Sequence, residues 1–262
     1  MKLPLYQADA FTDKLFGGNP AAVCILTGWL ADETLQAIAA ENNLAETAFI
    51  VQTSNRYEIR WFTPTVEVDL CGHATLASAH ILFEGYNLPG DTIEFYSPRS
   101  GVLKVTKQDG LLTMDFPRDI FEKVATPAGI AEGIGITPLE TYKGKTDYMA
   151  IVATQSGVES IRPDFSKILQ LDARGLIVSA PGDNCDFVSR FFAPQSGIDE
   201  DPVTGSSHTT LTPYWSEKLD KKTLSAMQLS ARKGYLQCTD KGERIEISGK
   251  AVTYLAGEIV VD

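Results

Sequence analysis

One arrangement of residues occurs twice in this chain. Arg60-Trp61-Phe62-Thr63-Pro64 leads through Glu67-Val68-Asp69 into Leu70-Cys71-Gly72-His73-Ala74-Thr75. Further on, Arg190-Phe191-Phe192-Ala193-Pro194 leads through Ile198-Asp199 into Thr204-Gly205-Ser206-Ser207. Each copy reads as an aromatic strand, an acidic loop, then a glycine followed by small residues able to begin a helix. The repeat predicts two related halves, each presenting one helix start, although the likeness is weak enough for chance to compete. Two such starts facing a shared cleft suit an enzyme that acts on a small acid.

The texture between the copies predicts an α+β fold, two similar domains that are each a curved, mostly antiparallel sheet around a central helix. Runs rich in β-branched and aromatic residues mark strands at 21–26, 47–51, 57–62, 92–96, 101–106 and 111–116. The Asp109-Gly110 step joins the last two as a hairpin. The second half repeats the pattern at 149–153, 176–179, 186–192, 234–238 and 243–247. Helices are fewer. Residues 31–43 carry a one-sided stripe (Leu35, Ile38, Ala39) with Asp32 as the expected N-cap. Residues 74–83 are apolar nearly all round, so that helix must be buried on every face. Its counterpart is expected over 206–219, with Pro213 kinking it. The halves divide as 1–116 and 117–262, the crossing lying near 117–126 in a chain long enough for two cores.

Charge and composition exclude several functions. A formal net charge of -11, dispersed along the chain, repels nucleic acid and anionic membrane surfaces. No run of ~18 apolar residues exists to span a membrane, and the N-terminus turns polar too early for a secretory signal, so a cytoplasmic protein is expected. Cys24, Cys71, Cys185 and Cys238 are scattered, and disulfides are not expected in that setting. His73, His80 and His208 lack metal-motif spacing, so no metal is expected. Neither a phosphate-binding loop, a dinucleotide fingerprint nor a nucleophile elbow is present, so any chemistry proceeds without a cofactor.

Glu46 leads the candidates for chemistry. It lies where a helix ends and the buried-looking Thr47-Ala48-Phe49-Ile50-Val51 begins, and partial desolvation there would raise its pKa toward neutrality. One group can then both take and return a proton. The alternative is a solvated carboxylate at a helix end. His73, at a predicted helix start, suits a neutral imidazole that holds substrate or tunes the base; otherwise it is a hydrogen-bonded core group. Asp201 mirrors it in the second half, or else caps the helix before Gly205. Gly72 and Gly205 permit close backbone approach, and the N–H groups after them can cradle a carboxylate.

Taken together and in order, these segments resemble the PhzF-like family of phenazine-biosynthesis isomerases. The resemblance rests on Asp9-Ala10-Phe11-Thr12, Phe16-Gly17-Gly18-Asn19-Pro20-Ala21-Ala22-Val23 and Ala45-Glu46-Thr47-Ala48-Phe49. It continues in Phe62-Thr63-Pro64 through Cys71-Gly72-His73-Ala74-Thr75 and ends in Glu200-Asp201-Pro202-Val203-Thr204-Gly205-Ser206. It implies the diaminopimelate-epimerase-like fold, a homodimer, and cofactor-free isomerisation of a small anionic substrate. By this likeness Glu46 is the acid/base, His73 and Asp201 are its partners, and Gly72, Gly205 and Ser206 bind the substrate carboxylate. Related epimerases use two opposed cysteines. Cys71 occupies the first place, but the second half offers no thiol, so Cys71 is expected to be packing. An amino-acid epimerase or racemase is therefore the weaker enzymatic alternative, and a non-catalytic binding protein of the same fold is a third. The polar, β-branched 207–213 departs from the small-residue helix the resemblance implies.

Overall fold

In the computed structural model, which describes residues 1–53 and 56–261, the chain divides into two compact units. Met1–Asp115 with Ser248–Asp262 form the first, and Phe116–Ile247 the second. The expected division after residue 116 thus lies one residue from the observed one, but the last segment belongs to the first unit. The reason is strand pairing. Residues Lys2–Ala10 (β1) pair antiparallel with Ala251–Val260, from Lys2 opposite Val260 to Ala10 opposite Ala251. Neither strand is evident from local sequence, because each is stabilised by the other across nearly the whole chain.

After β1 the first unit runs through β2 (Asn19–Leu26), α1 (Asp32–Asn42), β3 (Glu46–Gln52), β4 (Tyr57–Phe62), β5 (Glu67–Val68), α2 (Gly72–Gly85), β6 (Thr92–Ser97), β7 (Gly101–Gln108) and β8 (Leu111–Pro117). The second contains β9 (Glu122–Lys123), α3 (Ala128–Ile134), β10 (Glu140–Lys143), β11 (Asp147–Ile151), α4 (Gln155–Ser160), α5 (Phe165–Ile168), β12 (Gly175–Pro181), β13 (Phe187–Ala193), β14 (Ile198–Glu200), α6 (His208–Leu219), β15 (Thr223–Gln228), β16 (Gly234–Asp240) and most of β17 (Arg244–Gly249); the last two residues of β8 fall in this unit and the last two of β17 in the first. The returning strand is β18 (Ala251–Val260). Asp109 and Gly110, at φ 52° and 78°, make the two-residue turn that pairs Gln108 with Leu111. Both central positions need positive φ, which is what an Asp-Gly step supplies.

The pairing order of one unit repeats in the other. In the first, β2 is parallel to β3, β3 antiparallel to β4, β4 antiparallel to β5 and parallel to β6, and β6 antiparallel to β7. In the second, β11 is parallel to β12, β12 antiparallel to β13, β13 antiparallel to β14 and parallel to β15, and β15 antiparallel to β16. Thr47 faces Phe62 in one register and Leu176 faces Phe192 in the other. The sequence repeat is therefore a structural one.

An identical device closes both copies. Arg60 donates through Nε to Glu67 Oε1 (2.7 Å) and through Nη2 to Oε2 (2.9 Å). Arg190 donates to Glu200 in the same manner, at 2.7 and 2.8 Å. Each guanidinium also lies over a phenylalanine ring, Phe62 at 5.1 Å and Phe192 at 4.8 Å.

Helix α2 is buried from His73 to Ala79 and again from Ile81 to Phe83, and touches β1, β2, β3 and β18. The all-round apolar pattern thus has the surrounding sheet it requires. Helix α6 begins at His208, two residues later than expected, and continues through Pro213. The proline has no N–H for the carbonyl of Thr209, which instead accepts from Asp119 N at 3.3 Å. Helix α1 departs from expectation at its start. Ala31 is the N-cap and makes no side-chain cap, while the Asp32 carboxylate is drawn away to Arg60 Nη1 at 2.9 Å. Outer helices complete each unit: α1 packs Leu35, Ile38 and Ala39 against β-strand residues such as Cys24 and Phe49. Ile130, Val158 and Ile168, from α3, α4 and α5, pack similarly on Val178 and Phe192. Among the described residues, no helix is long and apolar enough to cross a membrane.

The clamp has a measurable stability signature. Glu200→Ala leaves the mostly buried Arg190 unpaired and should cost ~2–4 kcal/mol in urea denaturation. Replacing both partners, Arg190→Met with Glu200→Leu, should recover most of that loss. A double variant no more stable than the single one would show that the pair does more than compensate charge.

Candidate active site

Glu46 is the first residue of β3. Helix α1 stops just before it because Asn43 takes the left-handed conformation (φ 50°) and returns its N–H to Ala39 O at 3.2 Å. The chain then enters β3 with Glu46 opposite Ala21 of β2. Its side chain is only 14% exposed, and Oε2 lies 3.3 Å from Nε2 of His73. His73 is the second residue of α2 and is itself buried.

Two further groups hold the imidazole from its other edge. Asn19 Nδ2 is 3.2 Å from Nδ1, and Cys71 Sγ is 3.5 Å from the same nitrogen. An amide N–H is a donor, so an Nδ1 that accepts it leaves the ring proton on Nε2. Burial pushes the His73 pKa down to about 4, partly opposed by a hydrogen bond to the Pro20 backbone. The ring is therefore neutral at physiological pH, a close neighbour of the carboxylate rather than its counter-ion. Asn19 owes its place to Gly18. At φ +58°, a Cβ on Gly18 would fall 2.0 Å from Ala10 O, so only glycine fits. A supporting role for Asn19 was not anticipated from sequence; the Gly17-Gly18-Asn19-Pro20 punctuation at a strand start was the available signal.

Single donor atoms of Glu46, Cys71 and His73 lie within 4.8 Å of one another, a set able to hold a metal ion that the sequence spacing does not flag. As packed, the thiol meets Nδ1 and the carboxylate meets Nε2. Those nitrogens point in different directions, so one ion at either would have to draw the third ligand around the ring. Cys71 is buried, and its carbonyl accepts from Thr75 Oγ1 at 2.6 Å in the first turn of α2. Gly72 is the first residue of that helix.

In the second unit, Asp201 Oδ2 accepts from Thr204 Oγ1 at 2.6 Å, and the Asp201 carbonyl accepts from Gln228 Nε2 at 2.8 Å. Gln228 Oε1 in turn accepts from Thr204 N at 2.8 Å. This fully buried glutamine, undetected in the sequence, fixes the loop that leads to Gly205 and Ser206. Aligning the two clamps, Glu67 with Glu200, places Gly72 opposite Gly205, Cys71 opposite Thr204, and His73 opposite Ser206. Asp201 is thus not the counterpart of His73; it corresponds to Val68. The structure gathers Glu46, His73, Cys71 and Asn19 in one unit, and Asp201, Thr204, Gly205 and Ser206 in the other.

A family model described as phenazine biosynthesis-like protein (PhzC-PhzF) matches residues 8–257. The chain belongs to the phenazine biosynthesis-like family. A relative from Pseudomonas aeruginosa named as an isomerase is 50% identical over 259 residues, covering 99% of both chains. The human phenazine biosynthesis-like domain-containing protein is 37% identical over 99% of each. Among solved structures, a PhzF-family protein of Enterococcus faecalis superposes with a TM-score of 0.97 at 45% identity over the whole of both chains. A predicted epimerase of Pseudomonas aeruginosa, at 18% identity and a TM-score of 0.75 over 99% of this chain and 100% of its own, shares the fold. The α+β, diaminopimelate-epimerase-like class expected of a PhzF-like chain is the one observed, and its PhzF-like relatives place it among isomerase-type proteins.

Two buried histidines give this PhzF-like chain a defined acid sensitivity. His73 and His208 are both pushed from 6.5 down to about 4, first by burial. A depressed histidine pKa means that the unfolded chain binds the proton more readily, so the stabilisation is complete above pH 6.5 and is lost as pH falls toward 4. Each group accounts for on the order of 3 kcal/mol across that window. His208→Gln should therefore flatten the decline of urea stability between pH 7 and 4 by a comparable amount, and an unchanged slope would exclude His208 as a cause.

Proposed function

We propose that the protein is a cofactor-independent isomerase that moves a proton between carbons of a small carboxylic acid, with Glu46 as the single acid/base. The observation that carries this reading is the placement of Glu46 Oε2 3.3 Å from the neutral, buried His73. Glu46 removes a proton from an activated carbon, and the electron pair delocalises into the adjacent unsaturated or carboxylate system. The same carboxyl then returns the proton to a second carbon, so charge and atoms balance without a co-reactant. His73 packs 3.3 Å from the carboxylate and limits its orientation, while Asn19 fixes His73.

Gly72 in the first unit, and Gly205 and Ser206 in the second, are proposed to bind the substrate carboxylate, with Asp201 supporting catalysis. Family resemblance supports these roles, and the isomerase names of the relatives support the reaction class. An amino-acid epimerase using opposed thiols fits less well. The register counterpart of Cys71 is Thr204, whose hydroxyl is committed to Asp201. Inversion needs an acid and a base on opposite faces, and one carboxylate supplies one face only.

A screen of small unsaturated and amino-acid-like acids in heavy water, read by NMR for deuterium incorporation, should identify substrates by Glu46-dependent exchange. Glu46→Gln should lower turnover by about 10²–10⁴-fold while leaving the circular dichroism spectrum unchanged. A folded Gln variant with wild-type turnover would remove Glu46 from the mechanism.

A further inference from the structure

The two units place different chemistry at the same point of the repeat. Strand registers pair Thr47 with Phe62 and Leu176 with Phe192, so Gly175 is the counterpart of Glu46 and Arg174 that of Ala45. No side chain fits at Gly175: a Cβ there would lie 2.5 Å from Phe191 Cζ and 2.8 Å from Phe192 O. Functionality arrives instead from the residue before it. Arg174 Nη2 donates to Ser206 Oγ at 3.0 Å. Where one unit sets Glu46 against His73, the other sets a guanidinium against the residue that replaces His73.

Arg174 is held firmly. Nε donates to Asp147 Oδ1 at 2.9 Å and Nη2 to Oδ2 at 2.5 Å. Its backbone N–H reaches Thr146 O at 2.7 Å, and the guanidinium lies 5.2 Å from the centre of the Phe191 ring. Asp147 is 4% exposed and also accepts from Thr146 Oγ1 at 3.1 Å. The guanidinium has donors only. It therefore occupies a lone pair of Ser206 Oγ and turns the hydroxyl proton toward another acceptor. Among the described residues, neither that hydroxyl nor Arg174 Nη1 donates to any protein acceptor. Ser206 is exposed, and the Arg174 side chain is 38% exposed.

We propose that Arg174 and Ser206 together form the carboxylate-recognition element of the enzyme, with Nη1 and the seryl hydroxyl each taking one oxygen of the anion. This rests on the isomerase reading and adds a specificity-determining residue to it. The pair also selects by charge. Asp119 and Asp201 lie within the electrostatic reach of Arg174, and Asp147 already neutralises it. A single carboxylate, accepting two directed hydrogen bonds, is favoured there over a doubly charged phosphate, which those acids repel.

The test uses the whole chain and three probes: benzoate, its neutral isostere benzamide, and inorganic phosphate. Binding is followed by the backbone amide NMR signals of Gly205, Ser206 and Ser207. Benzoate should shift these signals saturably, while benzamide and phosphate should bind at least ~10-fold more weakly. Arg174→Gln and Ser206→Ala should each weaken benzoate about 10-fold or more, the usual effect of losing a hydrogen bond to a charged group. Ser206→Ala leaves the Asp147 ion pair intact, so it decides the matter if Arg174→Gln fails to fold. Benzoate binding within twofold of wild type in folded Ser206→Ala or Arg174→Gln, or phosphate binding as tightly as benzoate, would overturn the proposal. Glu46→Gln should bind benzoate normally. An active Glu46→Gln would defeat the proton-transfer reading while leaving this binding result to stand or fall by itself.

Discussion

The bidentate Arg–Glu clamp is the contact on which each unit depends. Arg60 and Arg190 rise from a strand, reach the glutamate that follows a short acidic loop, and so fix where the next helix begins. The same guanidinium ties in an outer helix. Arg60 extends to Asp32 in the first turn of α1, whereas Arg190 donates to the carbonyls of Val158 and Ile161 at the end of α4. Glu67 is additionally held by Arg99 at 2.7 Å. Removing these ions from bulk water offsets much of their attraction, so their main effect is geometric. A planar fork meeting a planar carboxylate leaves little rotational freedom, and five residues later a glycine must stand in one place.

Given that common frame, the two units differ where chemistry is placed. In the first, a carboxylate at the head of β3 meets a neutral imidazole at the head of α2. In the second, the crowding of Gly175 by Phe191 and Phe192 leaves no room for a side chain at the head of β12. A cation takes over one residue earlier, and a hydroxyl replaces the ring. The scaffold thus behaves as a holder for a strand residue facing a helix start, with the charge of that residue set independently in each copy.

How much of this was legible depended on how local each signal is. The repeat could be seen because arginine, aromatic, glutamate and glycine recur at matching spacing, and because α2 is apolar on every face. The hairpin at Asp109-Gly110 was legible for the same reason, since two adjacent residues dictate the turn. Strands β1 and β18 were not, because each finds its partner at the opposite end of the chain and much of β18 faces solvent. Asp32 looked like a cap, but an arginine 28 positions away competes for its carboxylate. Glu46 and His73 were found through motif likeness and local context. Arg174 was overlooked, standing in Asp172-Ala173-Arg174-Gly175 with no motif to mark it. Only the register of β12 against β13 shows that it shares a location with the Ala45-Glu46 step.

The strand that closes the first unit is made only after the whole of the second unit. While the second unit is contiguous and can assemble as it emerges, β1 waits with one edge unsatisfied until Ala251–Val260 has been made. During that interval the site-bearing helix α2, which rests on both β1 and β18, lacks one wall of its enclosure. Premature release or stalling before β18 is made would therefore yield a chain with one finished lobe and one open, sticky lobe, the kind of product that quality-control proteases and holdases recognise.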